Sequence, residues 1–210
     1  MPYSEQHKCF FFHITKAAGT AVEKTLGMYG NRTPLKGKVG GIFGRNRQHF
    51  TYAELVHFDL VDESLFADSV CFAIVRDPLD RIVSEYFWLA FHKENISFKD
   101  FVIDTYIPSY KLAEENALVP PYCSYAHFYP QHLYECKYMS EYLVFDTLDS
   151  DWKAFVNKYT LDLPKNLKKR NKTKVREKDF LSYYDSELLS IVNKSLDKDI
   201  QFYCRISTGL

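Results

Sequence analysis

The stretch Val70-Cys71-Phe72-Ala73-Ile74-Val75-Arg76-Asp77-Pro78-Leu79-Asp80-Arg81-Ile82-Val83-Ser84 decides how this chain folds. Its first six residues are apolar with no polar alternation, the pattern of a central parallel strand buried on both faces. Asp77 then supplies an N-cap and Pro78 the first position of a helix. That helix continues through Leu79, Ile82, Val83, Tyr86, Phe87, Ala90 and Phe91, which recur at helical spacing. Arg76 falls at the carboxyl end of the strand, where open α/β sheets bind their ligands. Helical side chains lean toward the N-terminus, so the Ser84 hydroxyl can point back toward Arg76; the pair reads equally as the grip on one phosphate or as a surface Arg and Ser on a capped helix.

Upstream, Lys8 to Ile14 reads as a short apolar strand, and an amphipathic helix is expected from Ala21 to about Met28. Between them lies Thr15-Lys16-Ala17-Ala18-Gly19-Thr20. A small-residue loop joining a strand to a helix lets the backbone approach an oxyanion and meet it with free N–H groups and the helix dipole; Lys16 adds a cation. The order Gly-x-x-x-x-Gly-Lys-Ser/Thr of nucleotide triphosphatases is not present. Residues 29–47 hold five glycines and five Lys/Arg, a loop composition. Thr51 and Glu54 form a capping box, which sets His49 just before a helix.

Downstream, the pattern predicts helices over Ser97 to Tyr106 and Ser109 to Leu118, a short strand at Tyr142 to Phe145 and a helix from Asp151 to Tyr159. A basic run, Lys165 to Lys178, precedes a final helical region from about Asp185 to Phe202. Strands alternating with helices imply an α/β fold with a central, mainly parallel sheet flanked by helices.

The 210 residues argue for one domain, 1–210, and 35 aromatic side chains provide ample core. Lys plus Arg and Asp plus Glu number 27 each, so the chain lacks the overall positive field of a general nucleic-acid binder. The longest apolar runs, Val70 to Val75 and Tyr86 to Phe91, are far short of the ~20 residues of a membrane span. Five scattered cysteines without a Cys-x-x-Cys indicate neither a disulfide framework nor zinc. With no signal-peptide pattern at the start, a cytoplasmic location is expected.

The segment His13-Ile14-Thr15-Lys16-Ala17-Ala18-Gly19-Thr20-Ala21 resembles the 5′-phosphosulfate loop of sulfotransferases, His-Ile-Pro-Lys-Thr-Gly-Gly-Thr-Ser. Cys71 to Ser84 is similar to the same family's 3′-phosphate motif. Further patches follow in the family's order: Gln48 to Leu55, Ala126-His127-Phe128-Tyr129-Pro130-Gln131, and Phe145-Asp146-Thr147-Leu148. The resemblance is to carbohydrate sulfotransferases and reaches from Phe11 to about Tyr203, with a P-loop-like fold implied. It departs from the pattern at Thr15, Ala17, Ala18 and Ala21, the last lacking a hydroxyl that the family offers to the phosphate.

The resemblance implies 3′-phosphoadenosine 5′-phosphosulfate as donor and a saccharide acceptor; no metal is expected, since metal binding has no support in residue spacing. It assigns the donor site to Lys16, Ala17, Ala18, Gly19, Thr20, Ala21, Arg76, Ser84 and a nucleotide-covering loop at Asn171, Lys172 and Thr173. His127 and Gln131 fall to the acceptor. Sulfuryl transfer needs a base and a cation for the leaving phosphate. Lys16 suits the second task, and His49 is the candidate base, since an ordinary imidazole with pKa ~6.5 is mostly neutral at pH 7. Glu54 is the other nearby base but is accounted for by the capping box. His13 reads as a hydrogen-bonded core residue, and His57, His92 and His132 as helix-surface residues. Two other classes compete: a nucleotide or small-molecule kinase with Asp146 as a magnesium ligand, and a non-catalytic module binding nucleic acid or polyanions through Lys165 to Lys178.

Overall fold

The structure, a computed structural model, describes residues 3–27, 47–118, 127–167, 176–177 and 179–209. Four strands form one sheet in the order β1 (Tyr3–Ser4), β2 (Cys9–Phe12), β3 (Val70–Val75) and β4 (Met139–Val144). β1 runs antiparallel to β2, whereas β2, β3 and β4 are parallel, with Phe11 beside Phe72 and Ala73 beside Tyr142. The expected sheet is therefore present, with a first strand of two residues too short to show any pattern.

Helices cover both faces. On one, Phe10 and Phe12 pack against Phe66 of α3 (Ser64–Ala67), with Phe10 and Phe66 ring centroids 4.7 Å apart. On the other, Phe11 meets Phe72, whose ring lies 4.5 Å from Phe155 of α7 (Leu148–Lys158). Cys71 to Val75 have no solvent exposure, as the unbroken apolar run requires.

Helix α4 (Pro78–Trp88) starts as the sequence dictates: the Asp77 carboxylate accepts from the Leu79 N–H at 2.8 Å and the Asp80 N–H at 3.3 Å. It stops at Trp88, earlier than the apolar spacing suggests, and Ala90 takes a left-handed φ of 64°. The two helices expected over 97–118 are one continuous run: α5 (Phe98–Asp100), a wide π turn (Phe101–Tyr106) and α6 (Ile107–Glu115). Pro108 explains the wide turn, because in α geometry its ring would clash with the carbonyl four residues back and its missing N–H would break the ladder.

The single final helix expected is instead α8 (Ser186–Ser195), capped by Asp185 through the Leu188 N–H at 2.7 Å, and α9 (Asp197–Thr208). The break at Leu196 serves two cores. Leu188, Val192 and Leu196 join Ile82, Val83 and Phe101 in a second cluster, while Phe202 turns back into the core around the sheet.

Candidate active site

Three chain segments meet at the carboxyl ends of the parallel strands: the loop after β2, Arg76 after β3, and the turn Arg47–His49. The Arg76 guanidinium donates through Nη1 to the Lys16 carbonyl at 2.7 Å, and His49 Nδ1 lies 2.8 Å from the His13 carbonyl oxygen.

The loop is held in an unusual backbone shape. Lys16 and Ala18 have φ of 59° and 60°, left-handed values that cost a residue with a Cβ ~1–3 kcal/mol and persist only where the surroundings impose them. Helix α1 (Gly19–Thr25) begins two residues before the expected Ala21, and Ala18 at its N-cap has no side chain that could satisfy the first turn. Ala21 and Val22 donate to the Ala18 carbonyl; the N–H groups of Gly19 and Thr20 have no backbone acceptor among the described residues. A Cβ at Gly19 would sit 1.8 Å from His13 Nε2, so glycine is demanded there by close approach. Ala17 is fully buried, leaving only its backbone for a ligand, whereas Lys16, Ala18, Thr20 and Ala21 are half-buried.

His13, His49 and His127 stand in a row, with ring centroids 4.4 Å and 5.9 Å apart. His13 is tied to Glu23 through Nδ1 at 2.6 Å, which bears out its reading as a hydrogen-bonded core residue. A carbonyl can only accept, so His49 carries its proton on Nδ1 and its lone pair on Nε2. The His49 imidazole is held well below its ordinary value, first by burial and then by His13, His127 and Arg81. It is a neutral base across the neutral range. Tyr134 fixes its backbone by donating to the His49 carbonyl at 2.7 Å.

Lys16 points its ammonium at the Trp88 ring, 5.1 Å from the centroid. Burial pushes it down to about 8, with Glu85 opposing and Arg76 adding to the shift. Arg76 itself is 6% exposed: Nε pairs with Asp80 at 2.6 Å, and its guanidinium lies 4.2 Å from the Phe145 ring. Asp80 also pairs with Arg176, from the basic run. Ser84 is half-buried, and its side chain has no hydrogen-bond partner among the described residues.

Two expectations change on this geometry. Gln131, expected at the acceptor, is wholly buried; its Oε1 accepts from the Arg76 N–H at 3.0 Å and its Nε2 donates to the Arg76 carbonyl at 2.8 Å. With both amide ends on the backbone of Arg76, it positions that arginine. His132 is no idle surface residue, since it bridges the fully buried Asp199 at 2.8 Å and Glu114 at 3.3 Å. Glu54 keeps both carboxylate oxygens occupied, by the Thr51 N–H at 2.7 Å and the Tyr129 hydroxyl at 2.9 Å, as the capping box requires. Asp146 accepts from the Tyr203 hydroxyl at 2.8 Å. Asn171, Lys172 and Thr173 lie outside the described residues.

Sequence reasoning missed Arg81, Glu85 and Trp88, a stripe at spacings of four and three on α4. Arg81 is 1% exposed and reaches the Thr15 carbonyl at 3.2 Å, the Thr15 hydroxyl at 2.8 Å and the His127 carbonyl at 3.3 Å. Although burial works against it, Tyr106, Glu85, Asp199 and Tyr134 hold the Arg81 guanidinium above its ordinary value. Glu85, with no exposure, takes His127 Nδ1 at 3.0 Å, and Trp88 stacks on the His127 ring at 4.2 Å. The i, i+4, i+7 spacing was visible, but charged residues on a helix read as its solvent side.

An uncapped helix start on a strained loop, a buried arginine, a half-buried lysine and a buried imidazole thus lie together at the carboxyl ends of the parallel strands. The chain belongs to the sulfotransferase family, whose model matches residues 2–204. Comparisons with curated proteins and with solved structures return no match.

Proposed function

We propose that this sulfotransferase takes 3′-phosphoadenosine 5′-phosphosulfate as donor and passes its sulfuryl group to a hydroxyl or amine of a saccharide. One observation carries the reading: His49, its Nδ1 fixed on the His13 carbonyl and its Nε2 free of a proton, belongs to the same cluster as Lys16. The fit of the donor rests on the loop, whose uncapped N–H groups and close Gly19 approach suit a phosphate and whose neighbour Arg76 suits a second one.

The donor supplies a sulfuryl group activated by its phosphate leaving group. His49 Nε2 takes the acceptor proton as the acceptor oxygen bonds to sulfur, and the Lys16 ammonium meets the charge left on the phosphate oxygen as the sulfur–oxygen bond breaks. Family membership favours this chemistry over phosphoryl transfer.

Calorimetric titration with adenosine 3′,5′-bisphosphate, ATP and heparin in turn tests the donor. Bisphosphate is expected to bind best, and Arg76→Ala to weaken it by ~1.5–3 kcal/mol, the worth of a charge-assisted hydrogen bond. Unchanged affinity in that variant, or a preference for ATP, overturns the donor assignment.

A further inference from the structure

Asp199 of α9 is a charged side chain with no solvent exposure, and the mechanism above gives it no task. Its carboxylate reaches across 68 positions to the turn Gln131–Tyr134. Oδ2 accepts from the Gln131 N–H at 2.9 Å, and Oδ1 from the His132 N–H at 3.0 Å and from His132 Nδ1 at 2.8 Å. Pro130, at the start of that turn, offers no side-chain cap, so Asp199 closes the turn from another helix. A carboxylate is costly to bury unless it is hydrogen-bonded, and what this one secures is Gln131.

Gln131, itself fully buried, turns both ends of its amide on Arg76, accepting from the N–H at 3.0 Å and donating to the carbonyl at 2.8 Å. β3 ends at Val75, so Gln131 adds what a neighbouring strand would, one acceptor and one donor, at the residue where the chain leaves the sheet. Asp80 and the Lys16 carbonyl hold the guanidinium; Gln131 holds the backbone from which it projects. Resting on the sulfotransfer reading, in which Arg76 takes the donor's second phosphate, we propose that Asp199 is a positioning residue for the 3′-phosphate site, acting through Gln131 on the backbone of Arg76. Asp199 is also one of the groups that hold the charge on Arg81, the brace of the loop at Thr15. The two routes end at different phosphates: the one through Gln131 at the 3′-phosphate, the one through Arg81 at the loop that meets the 5′ group.

Calorimetry on the full chain with adenosine 3′,5′-bisphosphate and adenosine 5′-phosphate isolates the 3′-phosphate as the ratio of the two affinities. Asp199→Asn keeps the volume but turns an amide N–H toward a backbone N–H. It is expected to lower bisphosphate affinity about tenfold and leave 5′-phosphate affinity within about twofold of wild type. In an Arg76→Ala background the same change is expected to cost nothing further, since a residue acting through another is silent once that one is gone. An unchanged ratio in Asp199→Asn, whether both nucleotides bind as before or both weaken equally, overturns the assignment, as do losses that multiply with Arg76→Ala. Where circular dichroism shows Asp199→Asn unfolded, Gln131→Met decides, because it keeps the backbone N–H that Asp199 holds and removes only the amide. The same loss confined to bisphosphate is expected there, and an unchanged ratio overturns the relay. A wild-type chain that binds the two nucleotides equally overturns the donor reading and the relay with it.

Discussion

Two strand-to-helix junctions lie side by side at the carboxyl edge of the sheet and are finished in opposite ways. After β3, Asp77 closes the first turn of α4 with two hydrogen bonds and Pro78 presets its backbone. After β2, Ala18 has no side chain to close α1 and sits at a left-handed φ. The first junction satisfies itself; the second leaves N–H groups for something else to satisfy. A helix start without a cap forgoes about 1 kcal/mol, and left-handed Lys16 and Ala18 add strain, so the β2 junction gives up stability that an anion would return on binding.

The largest effect is expected where the open junction carries its chemistry. His49→Ala should cut turnover by ~10²-fold or more with bisphosphate affinity near wild type, since a base acts only at proton transfer. In the wild type, activity should survive into acid below the ordinary imidazole range, because burial keeps His49 neutral there, and then fall as His49 gains its proton. It should also fall as pH rises through about 8, where Lys16 loses the charge that the leaving group needs. A pH profile of kcat/KM checks both limbs; full turnover in His49→Ala moves the base to His127.

The closed junction was legible and the open one only in part, for a physical reason. Val70 to Pro78 is fixed by local rules, an apolar run, an N-cap and a proline, so the strand and helix start fall where the sequence puts them. The small-residue loop after β2 was legible as composition, but its helix starts at Gly19, where the His13 ring leaves no room for a Cβ, a contact the sequence does not announce. The buried network was hidden because its partners are far apart: Arg81 and Thr15 are separated by 66 positions, Gln131 and Asp199 by 68. The break at Leu196 has no glycine or proline to mark it and follows from the demands of two cores.

Thr15, one departure from the family's usual proline, sharpens the contrast. Its hydroxyl and carbonyl both accept from Arg81, so the open loop is braced from α4, the helix of the closed junction. Thr15→Val keeps the shape and removes the hydroxyl, leaving a buried guanidinium short of one acceptor at a cost of ~1–3 kcal/mol. Denaturant unfolding should show that loss, and bisphosphate affinity should fall with it as the brace slackens. A stable variant with wild-type affinity would mean that the loop holds its strained shape without Arg81.

The smallest effect should come from opening the closed junction. Asp77→Ala removes the acceptor for the Leu79 and Asp80 N–H groups, and N-cap loss typically costs about 1 kcal/mol. For a chain of this length that corresponds to a fall of ~2–4 °C in Tm. Arg76, the neighbouring residue, is held independently by Asp80, Gln131 and the Lys16 carbonyl, so bisphosphate affinity should change less than in Arg76→Ala. Thermal denaturation and calorimetry on one preparation separate the two readouts. If Asp77→Ala instead keeps its Tm and loses bisphosphate, the cap serves the ligand rather than the helix, and the division between a closed and an open junction fails.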